Sequence, residues 1–236
     1  MGPNGQVWLY GIHTVKAALL NPNRKKYRLL INESSPDLLA SNNEEIPTEF
    51  VPRQKIDSIL PSDSVHQGIA LLVAPLKYEA LDTIYRSSGQ NTVVVILDQI
   101  TDPRNIGAIL RSASAFNVAC VIIPNKYTPQ MTPTLAKSAS GALDQIPIAT
   151  STNISRTIDT LKKSDFWVVG LDSGSNQILS DANLNGKIAL VLGAEGAGLR
   201  RLTKEKCDFL ANIPINPRIG SLNVSTSAAI AFYEIS

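Results

Sequence analysis

The chain has little of what a metal site or a membrane segment requires. It contains two cysteines and two histidines, and Cys120 and Cys207 lie far apart, with no Cys-x-x-Cys or Cys/His spacing suited to zinc. No apolar run approaches the roughly 18 residues that a membrane helix needs. The first residues, Met-Gly-Pro-Asn-Gly, lack the apolar region of a signal peptide. We therefore expect no metal site, no membrane segment, and free thiols in a reducing, cytoplasmic compartment.

The chain also lacks a large net charge of either sign, since its formal net charge over 236 residues is +2. Such a balance excludes a bulk electrostatic attraction to nucleic acid, so any RNA-binding surface must come from local clusters such as residues 24–26, Arg-Lys-Lys. By itself such a cluster is more often a solvated helix end. A hydrophobic content of 44% with 18% charged residues is typical of a globular protein with ample core.

Short apolar strands alternate with helical segments over the first 75 residues. We predict strands at 6–10, 27–31, 48–51 and 67–73, and helices at 13–20, 35–41 and 53–60. These elements form a β/α unit of about seventy residues, a size that can fold alone. We assign residues 1–75 to a first domain. Residues 76–90 contain a run of mixed polarity that ends in Ser-Ser-Gly-Gln, which we interpret as a linker; the alternative is a short helix packed on the following domain.

From residue 91 the pattern changes to continuous apolar runs such as 93–97, which is typical of strands covered on both faces. These runs alternate with helical segments as far as residue 236. The alternation predicts an α/β domain with a largely parallel sheet over residues 91–236. In such folds, ligands bind outside the carboxyl ends of the strands.

The segment 98–112, which follows the first of these strands, carries more polar residues than a helix start needs. Asp102 is a plausible N-cap with Pro103 at the first helical position. Capping does not explain Asn105, Gly107 or Arg111. A glycine inside a helix costs up to about 1 kcal/mol relative to alanine, so Gly107 indicates a close approach to the backbone.

The segment 192–199, Leu-Gly-Ala-Glu-Gly-Ala-Gly-Leu, is a glycine-rich loop at the end of a predicted strand. Its pattern is G-x-x-G-x-G, which differs from the G-x-G-x-x-G dinucleotide fingerprint. Glu195 would repel a phosphate, so a neutral or cationic ligand fits better. The alternative is a flexible turn without a ligand.

The segment 213–225 is a constrained loop that leads into the last helix. Two prolines and Gly220 exclude regular structure from 214 to 220, and an apolar helix of small residues follows from Val224. Ser221 and Asn223 stand at the junction. Either could simply cap the helix, as such residues commonly do.

Together, segments 98–112, 190–199 and 213–225 resemble motifs one, two and three of the SpoU/TrmH family. This family contains SPOUT-class RNA ribose 2′-O-methyltransferases that use S-adenosylmethionine. Residues 10–19, Tyr-Gly-Ile-His-Thr-Val-Lys-Ala-Ala-Leu, and 66–68, His-Gln-Gly, resemble the bacterial branch that modifies a 23S rRNA guanosine (RlmB-like). The resemblance covers nearly the whole chain. It implies a small N-terminal ribosomal-protein-like α/β RNA-binding domain and a C-terminal SPOUT α/β domain with a deep trefoil knot.

The resemblance also implies which residues form the site and that a homodimer completes it. The catalytic residues would be Asn105, Arg111, Glu195, Ser221 and Asn223. The adenosyl moiety would lie against Gly193, Ala194, Ile213 and Leu222. The candidates for contacting RNA, with 23S rRNA as the first choice of substrate, are Arg24, Lys25 and Arg104.

Arg111 is the suggested activator of the ribose hydroxyl in this family. Because the pKa of a guanidinium lies above about 12, we favour Arg111 as a clamp on the adjacent phosphate that stabilises developing oxyanion charge. Three alternatives stay open: a tRNA substrate, a ribosome-associated protein that binds without catalysis, and a nucleotide-dependent oxidoreductase. The absence of a dinucleotide fingerprint disfavours the last.

Overall fold

The computed structural model describes residues 5–34, 46–87, 89–126 and 132–236. The helix predicted at 35–41 lies outside these residues. The chain divides into two compact units, the first from Met1–Lys77 with Gln130–Gln145 and the second from Tyr78–Pro129 with Ile146–Ser236. In chain order the helices and strands are β1 (Val7–Tyr10), α1 (Ile12–Leu20), β2 (Lys26–Asn32), β3 (Thr48–Val51), α2 (Arg53–Ile59), β4 (Ile69–Val73), α3 (Leu81–Ser87), β5 (Thr92–Asp98), α4 (Pro103–Ala115), β6 (Cys120–Pro124), α5 (Pro133–Ala139), β7 (Ile148–Ser151), α6 (Ile154–Lys163), β8 (Trp167–Leu171), β9 (Lys187–Gly193), α7 (Arg201–Lys206), β10 (Phe209–Ala211) and α8 (Val224–Ile235).

The first unit is built on a four-stranded sheet in the order β1-β4-β2-β3. Strands β2 and β3 are parallel, and the other neighbours are antiparallel. The predicted strand at 67–73 starts at Ile69 because Gln67 (φ 57°) and Gly68 (φ 79°) adopt left-handed conformations. Ile56 of α2 packs against Leu30 and Val51 on the sheet. The four strands predicted from the sequence are therefore confirmed.

Helix α5 and a short 3-10 helix, Ala142–Asp144, belong to the first unit although they follow β6 in the chain. Thr132 caps α5 by accepting a hydrogen bond from the Leu135 N–H (3.2 Å), and Ser140 ends it in the left-handed conformation (φ 50°). The Thr14 hydroxyl of α1 donates to the Ala136 carbonyl of α5 (3.4 Å). This grouping depends on contacts between residues more than a hundred positions apart.

The second unit contains a six-stranded sheet in the order β10-β8-β9-β5-β6-β7, and its neighbouring strands are parallel. The central strands β5 and β9 are almost wholly buried, as their continuous apolar runs predict. Helices α4 and α8 pack together, and Phe116 meets Tyr233 edge to face at 6.0 Å between ring centroids. The predicted α/β fold with a parallel sheet is thus confirmed, while the knot stays a prediction.

Residues 81–87 form helix α3, as in the second interpretation of the segment that follows the first domain. Leu81 and Ile84 pack against the core of the second unit, where Ile84 is 6% exposed. Glu79 makes a parallel bridge with Ala149 beside β7. This segment is therefore tied to the second unit at least from residue 79.

Four neighbouring strands, β10, β8, β9 and β5, end at the same edge of the second sheet because they are parallel. The segments that follow β5, β9 and β10 carry the three sequence motifs. In the described ranges, no helix is long and apolar enough to cross a membrane. The same ranges contain no group of three or more His, Cys, Asp or Glu side chains placed to hold a metal ion.

Candidate active site at the carboxyl edge of the parallel sheet

The glycine-rich loop after β9 closes on itself. The Ala194 N–H donates to the Gly198 carbonyl (3.1 Å), and the Gly198 N–H donates back to the Ala194 carbonyl (2.8 Å). Gly196 (φ 81°) and Gly198 (φ 68°) take left-handed conformations that side chains rarely adopt. A Cβ on Gly193 would overlap the main chain of Gly198 and Leu199. The glycines therefore allow a tight loop whose tip presents Glu195.

The loop between β10 and α8 is held by its own polar side chains and backbone. The Asn216 side-chain oxygen accepts the Arg218 N–H (3.0 Å), and the Ile219 N–H donates to the Asn216 carbonyl (3.0 Å). Gly220 then turns the chain in a left-handed conformation (φ 77°). The loop delivers Ser221 and the half-buried Leu222 to the start of α8.

Asn223 caps α8 and also joins the three motifs. Its side-chain oxygen accepts hydrogen bonds from the Ser225 N–H (2.9 Å) and hydroxyl (2.6 Å). This leaves the Asn223 amide N–H group to donate to the Asn105 oxygen (3.0 Å). Asn105 in turn donates to the Glu195 carboxylate (3.3 Å). Capping fixes the direction of the Asn223 amide, and the hydrogen bond from Asn223 fixes that of the Asn105 amide, so the Asn105 N–H points at the Glu195 carboxylate.

Asp102 accounts for the position of Asn105 in this network. The Asp102 carboxylate accepts the Arg104 N–H (2.8 Å), and Pro103 occupies the first helical turn, as predicted. Asn105 therefore lies in the first turn of α4, where its side chain reaches the loop after β9. Gly107 is buried in the same helix.

Arg111 does not join this network within one chain. Six residues beyond Asn105, it is rotated by about 120° around the helix axis and displaced by about 9 Å along it. The Arg111 side chain is exposed and has no hydrogen bond or ion pair with any described residue. Among the predicted catalytic residues, it is the one that the fold leaves apart.

A pocket at this edge is lined by four chain segments, within residues 171–173, 192–198, 211–215 and 221–227. It contains the four residues predicted to hold the cofactor, which are Gly193, Ala194, Ile213 and Leu222. It also contains Glu195 and Ser221. Asn105 and Asn223 contact it indirectly, through the network that ends at Glu195.

The sequence interpretation missed the segment after β8, where Leu171, Asp172 and Ser173 line the pocket. It also missed Val224 and Ser227 on the first turn of α8. The signal for the segment after β8 was available, because it leaves the carboxyl end of a predicted parallel strand, where ligands bind. However, this segment belongs to none of the three sequence motifs.

Asp172 and Glu195 are the charged side chains among the described residues that line the pocket. Asp172 forms an ion pair with Lys204. Burial acts to raise the pKa of the Asp172 carboxyl, but hydrogen bonds from Lys204 and the Gly174 N–H outweigh it and hold the pKa below its usual value. Glu195 accepts a hydrogen bond from the Asn105 amide and has no cationic partner among the residues that the structure describes. The pocket therefore favours a neutral or cationic ligand and disfavours a polyphosphate.

Arg24, predicted as an RNA contact, is instead part of the core of the first unit. It is 4% exposed, and its guanidinium donates to both oxygens of Asp144 (2.7 and 2.8 Å) and to the Ala74 carbonyl (3.0 Å). A buried guanidinium with these partners has no surface for a phosphate, so this expectation is corrected. Lys25 is exposed, with its ammonium 5.3 Å from the Tyr27 ring centre, and Arg104 is exposed on α4.

Comparison with known proteins assigns a family to both parts of the chain. Residues 92–233 match the model of the SpoU rRNA Methylase family, and residues 8–79 match that of the RNA 2′-O ribose methyltransferase substrate-binding domain. A 23S rRNA (guanosine-2′-O-)-methyltransferase RlmB of Coxiella burnetii is 38% identical over 234 residues, which cover 96% of this chain and 94% of that protein. A Staphylococcus saprophyticus protein placed in the TrmH family of tRNA/rRNA methyltransferases is 38% identical over 226 residues, covering 94% and 88% of the two chains.

Solved structures show the same fold. The SpoU methyltransferase AviRb of Streptomyces viridochromogenes, in complex with the cofactor AdoMet, superposes with a TM-score of 0.82 at 21% identity, over 98% of this chain and 89% of that chain. An AdoMet-bound rRNA methyltransferase of Sinorhizobium meliloti gives 0.81 at 23% identity, over 98% and 87%. The motifs, the parallel sheet and the family match over residues 92–233 agree, and the chain belongs to the SpoU rRNA methylase family.

Proposed function

We propose that this protein transfers a methyl group from S-adenosylmethionine to a ribose 2′-oxygen, most specifically of a guanosine in 23S rRNA. The observation that carries the proposal is the hydrogen-bonded network of Asn105, Glu195 and Asn223, which brings residues of all three motifs to the rim of one pocket.

The pocket suits S-adenosylmethionine by its charge and by its walls. The cofactor carries a sulfonium and an ammonium group, and the charged lining side chains are both acids. Ile213, Ile215 and Leu222 provide apolar wall for an adenine ring.

The residues of the chain would then orient the reaction rather than supply the transferred group. When bound, S-adenosylmethionine supplies an electrophilic methyl on a good leaving group. Asn105 and Asn223 hold the Glu195 carboxylate in one direction, and a fixed carboxylate can orient the attacking hydroxyl. Arg111 would bind the phosphate next to the target ribose and stabilise charge that develops on the 2′-oxygen.

We further propose that Arg111 acts from the second subunit of a homodimer. Its distance from the network along α4 supports a role in trans. Large apolar side chains in and before α8 are exposed, with Ile219 at 66%, Ile230 at 39% and Tyr233 at 70%, and a second copy would cover such a surface. Free Cys120 and Cys207 are in keeping with a reducing, cytoplasmic setting.

The substrate assignment rests on the first unit and on the RlmB relative. The match to a substrate-binding model over residues 8–79 supports an RNA substrate, and the Coxiella burnetii relative acts on a 23S rRNA guanosine by its name. Other relatives carry a broader tRNA/rRNA name, so tRNA is the second candidate. Lys25 and Arg104 are the exposed cations that we propose as phosphate contacts.

The first experiment measures transfer of labelled methyl to protein-free 23S rRNA and to bulk tRNA, comparing wild type with Arg111→Ala and with Arg156→Ala as a matched control on α6. We expect label in rRNA at one guanosine that becomes resistant to alkaline cleavage. Arg111→Ala should abolish it and Arg156→Ala should not. Label in tRNA alone would overturn the ribosomal substrate and leave the chemistry standing. A wild type that neither binds S-adenosylmethionine nor labels either RNA would overturn the proposal.

A mixing experiment tests the role of Arg111 in trans. Arg111→Ala and Glu195→Ala are each expected to be inactive. If the site combines Glu195 of one subunit with Arg111 of the other, half of randomly mixed dimers are heterodimers with one intact site, which restores about one quarter of wild-type activity. Activity that stays at the level of the separate variants would place both residues in one subunit's site.

A further inference from the structure

Asp98 is a fully buried carboxylate that lies outside the pocket lining. It ends β5 and is 0% exposed. Its Oδ1 accepts hydrogen bonds from Nε (2.8 Å) and Nη2 (2.6 Å) of Arg200, and its Oδ2 accepts from the Thr203 hydroxyl (2.7 Å) and the Arg200 N–H (3.3 Å). A buried charge requires this degree of compensation. Asp98 is therefore held in place by one short segment of chain, around the start of α7.

That segment is the far end of the glycine-rich loop. The loop begins at Gly193, which is the residue paired with Asp98 across the β5–β9 ladder. It ends at Leu199, immediately before Arg200. Asp98 is thus hydrogen-bonded to Arg200, just after the loop ends, and is paired in the sheet with Gly193, where the loop begins. Asp98 therefore connects the two ends of the loop, through its side chain at one end and through the strand pairing at the other.

We propose that Asp98 is a positioning residue for methyl transfer, which holds the glycine-rich loop closed and thereby places Glu195 against Asn105. This role rests on the proposed function of the pocket. The carboxylate touches neither the cofactor wall nor the network itself, and acts through Arg200 and Thr203.

The loop needs such an anchor because its internal bonds are few. Two hydrogen bonds between Ala194 and Gly198 close it, and its tip, from Glu195 to Gly198, is exposed to solvent. Glycines at 196 and 198 make the open states numerous, so closure costs entropy. Charge-assisted hydrogen bonds to a buried acceptor, formed at the base of the loop, offset that cost without entering the pocket.

Two matched pairs of variants test the role. Thr203→Val removes the hydroxyl that donates to Asp98, and Thr157→Val makes the same change at another buried threonine, whose hydroxyl bonds that of Ser151 at the same 2.7 Å. Arg200→Lys removes the paired donors, and Arg201→Lys makes the same change at the next residue, whose partner is the exposed Glu205. Hydrogen exchange of the amides of 193–199 is measured first, since it requires no ligand.

We expect Thr203→Val and Arg200→Lys to speed exchange in 193–199 about tenfold and to raise the dissociation constant for S-adenosylmethionine about tenfold, the effect of losing one charge-assisted hydrogen bond. Turnover at saturating cofactor should fall as well, because Glu195 is displaced. The two control variants should leave exchange in the loop, affinity and turnover at wild-type values, whatever their thermal stability.

The role of Asp98 would be overturned if hydrogen exchange in 193–199 and affinity for S-adenosylmethionine changed equally in a variant and its control. It would also be overturned if neither protein changed. The proposed function fails by a different result, which is a wild type that does not bind the cofactor. In that case the exchange measurement still decides whether Asp98 holds the loop.

Discussion

Replacing Gly193 with alanine tests whether the closed glycine-rich loop forms the cofactor wall. A Cβ at 193 would overlap the carbonyl group of Gly198 and the N–H of Leu199, which are backbone atoms. They cannot move away without opening the two hydrogen bonds between Ala194 and Gly198. The substitution should therefore open the loop while the rest of β9 stays in the sheet.

The size of the effect follows from those two bonds. At 3.1 and 2.8 Å they are of ordinary length, and a net contribution of about 1 kcal/mol each gives about 2 kcal/mol for closure. A difference of about 2 kcal/mol corresponds to about thirtyfold in the population of the closed loop. If only the closed loop binds S-adenosylmethionine, the dissociation constant rises by about the same factor.

Gly186→Ala, just before the other end of β9, is the matched control. Gly186 has φ 84°, and the nearest atom to an added Cβ is the Gln90 carbonyl oxygen at 3.7 Å, so space is open and only the left-handed conformation is strained. We expect about 1–2 kcal/mol loss of stability and unchanged affinity. Isothermal titration with S-adenosylmethionine and thermal unfolding measure both quantities. Affinity of Gly193→Ala within about threefold of wild type would refute the reasoning.

Three further predictions concern charges and thiols. Arg24→Met should lower the free energy of unfolding by about 3–5 kcal/mol in urea titrations, because it removes the cationic partner of the Asp144 carboxylate, whose side chain is 0% exposed. The exposed Lys25→Met should change the free energy of unfolding by less than about 0.5 kcal/mol, and a small effect at Arg24 would contradict its structural role. The pKa of Asp172 is lower in the folded state, so its stabilisation is complete above its unfolded pKa of about 3.9 and is lost as pH falls through the folded pKa. Asp172→Asn should thus melt earlier than wild type near pH 7, and the difference should shrink as the pH falls below the unfolded pKa. A difference that stays undiminished in acid would count against this linkage. Burial raises the pKa of Cys120 and of Cys207 to about 12, so both thiols should resist iodoacetamide at pH 8 in the folded protein and react once the protein is unfolded. Rapid alkylation of the native protein would contradict this prediction.

Much of the fold could be predicted because its signals are local. The continuous apolar runs of β5 and β9 indicate buried parallel strands, and Asp102 with Pro103 marks the start of α4 within a few residues of sequence. Asn223 shows the limit of a local signal. Its capping role is evident from its position, but its second bond, to Asn105, joins residues 118 positions apart.

The sequence alone determined the strands, the caps and the three motif loops, because each depends on the conformational preferences and polarity of neighbouring residues. Only the tertiary structure decided the partners. It buried Arg24 against Asp144, 120 residues later, and placed α5 in the first unit. It also left Arg111 apart from the network that Asn105 joins. The energy of a side chain depends on its neighbours in the folded protein. For these residues the neighbours lie about a hundred positions or more away in the sequence, so they are decided by the packing of the whole molecule and not by local preferences.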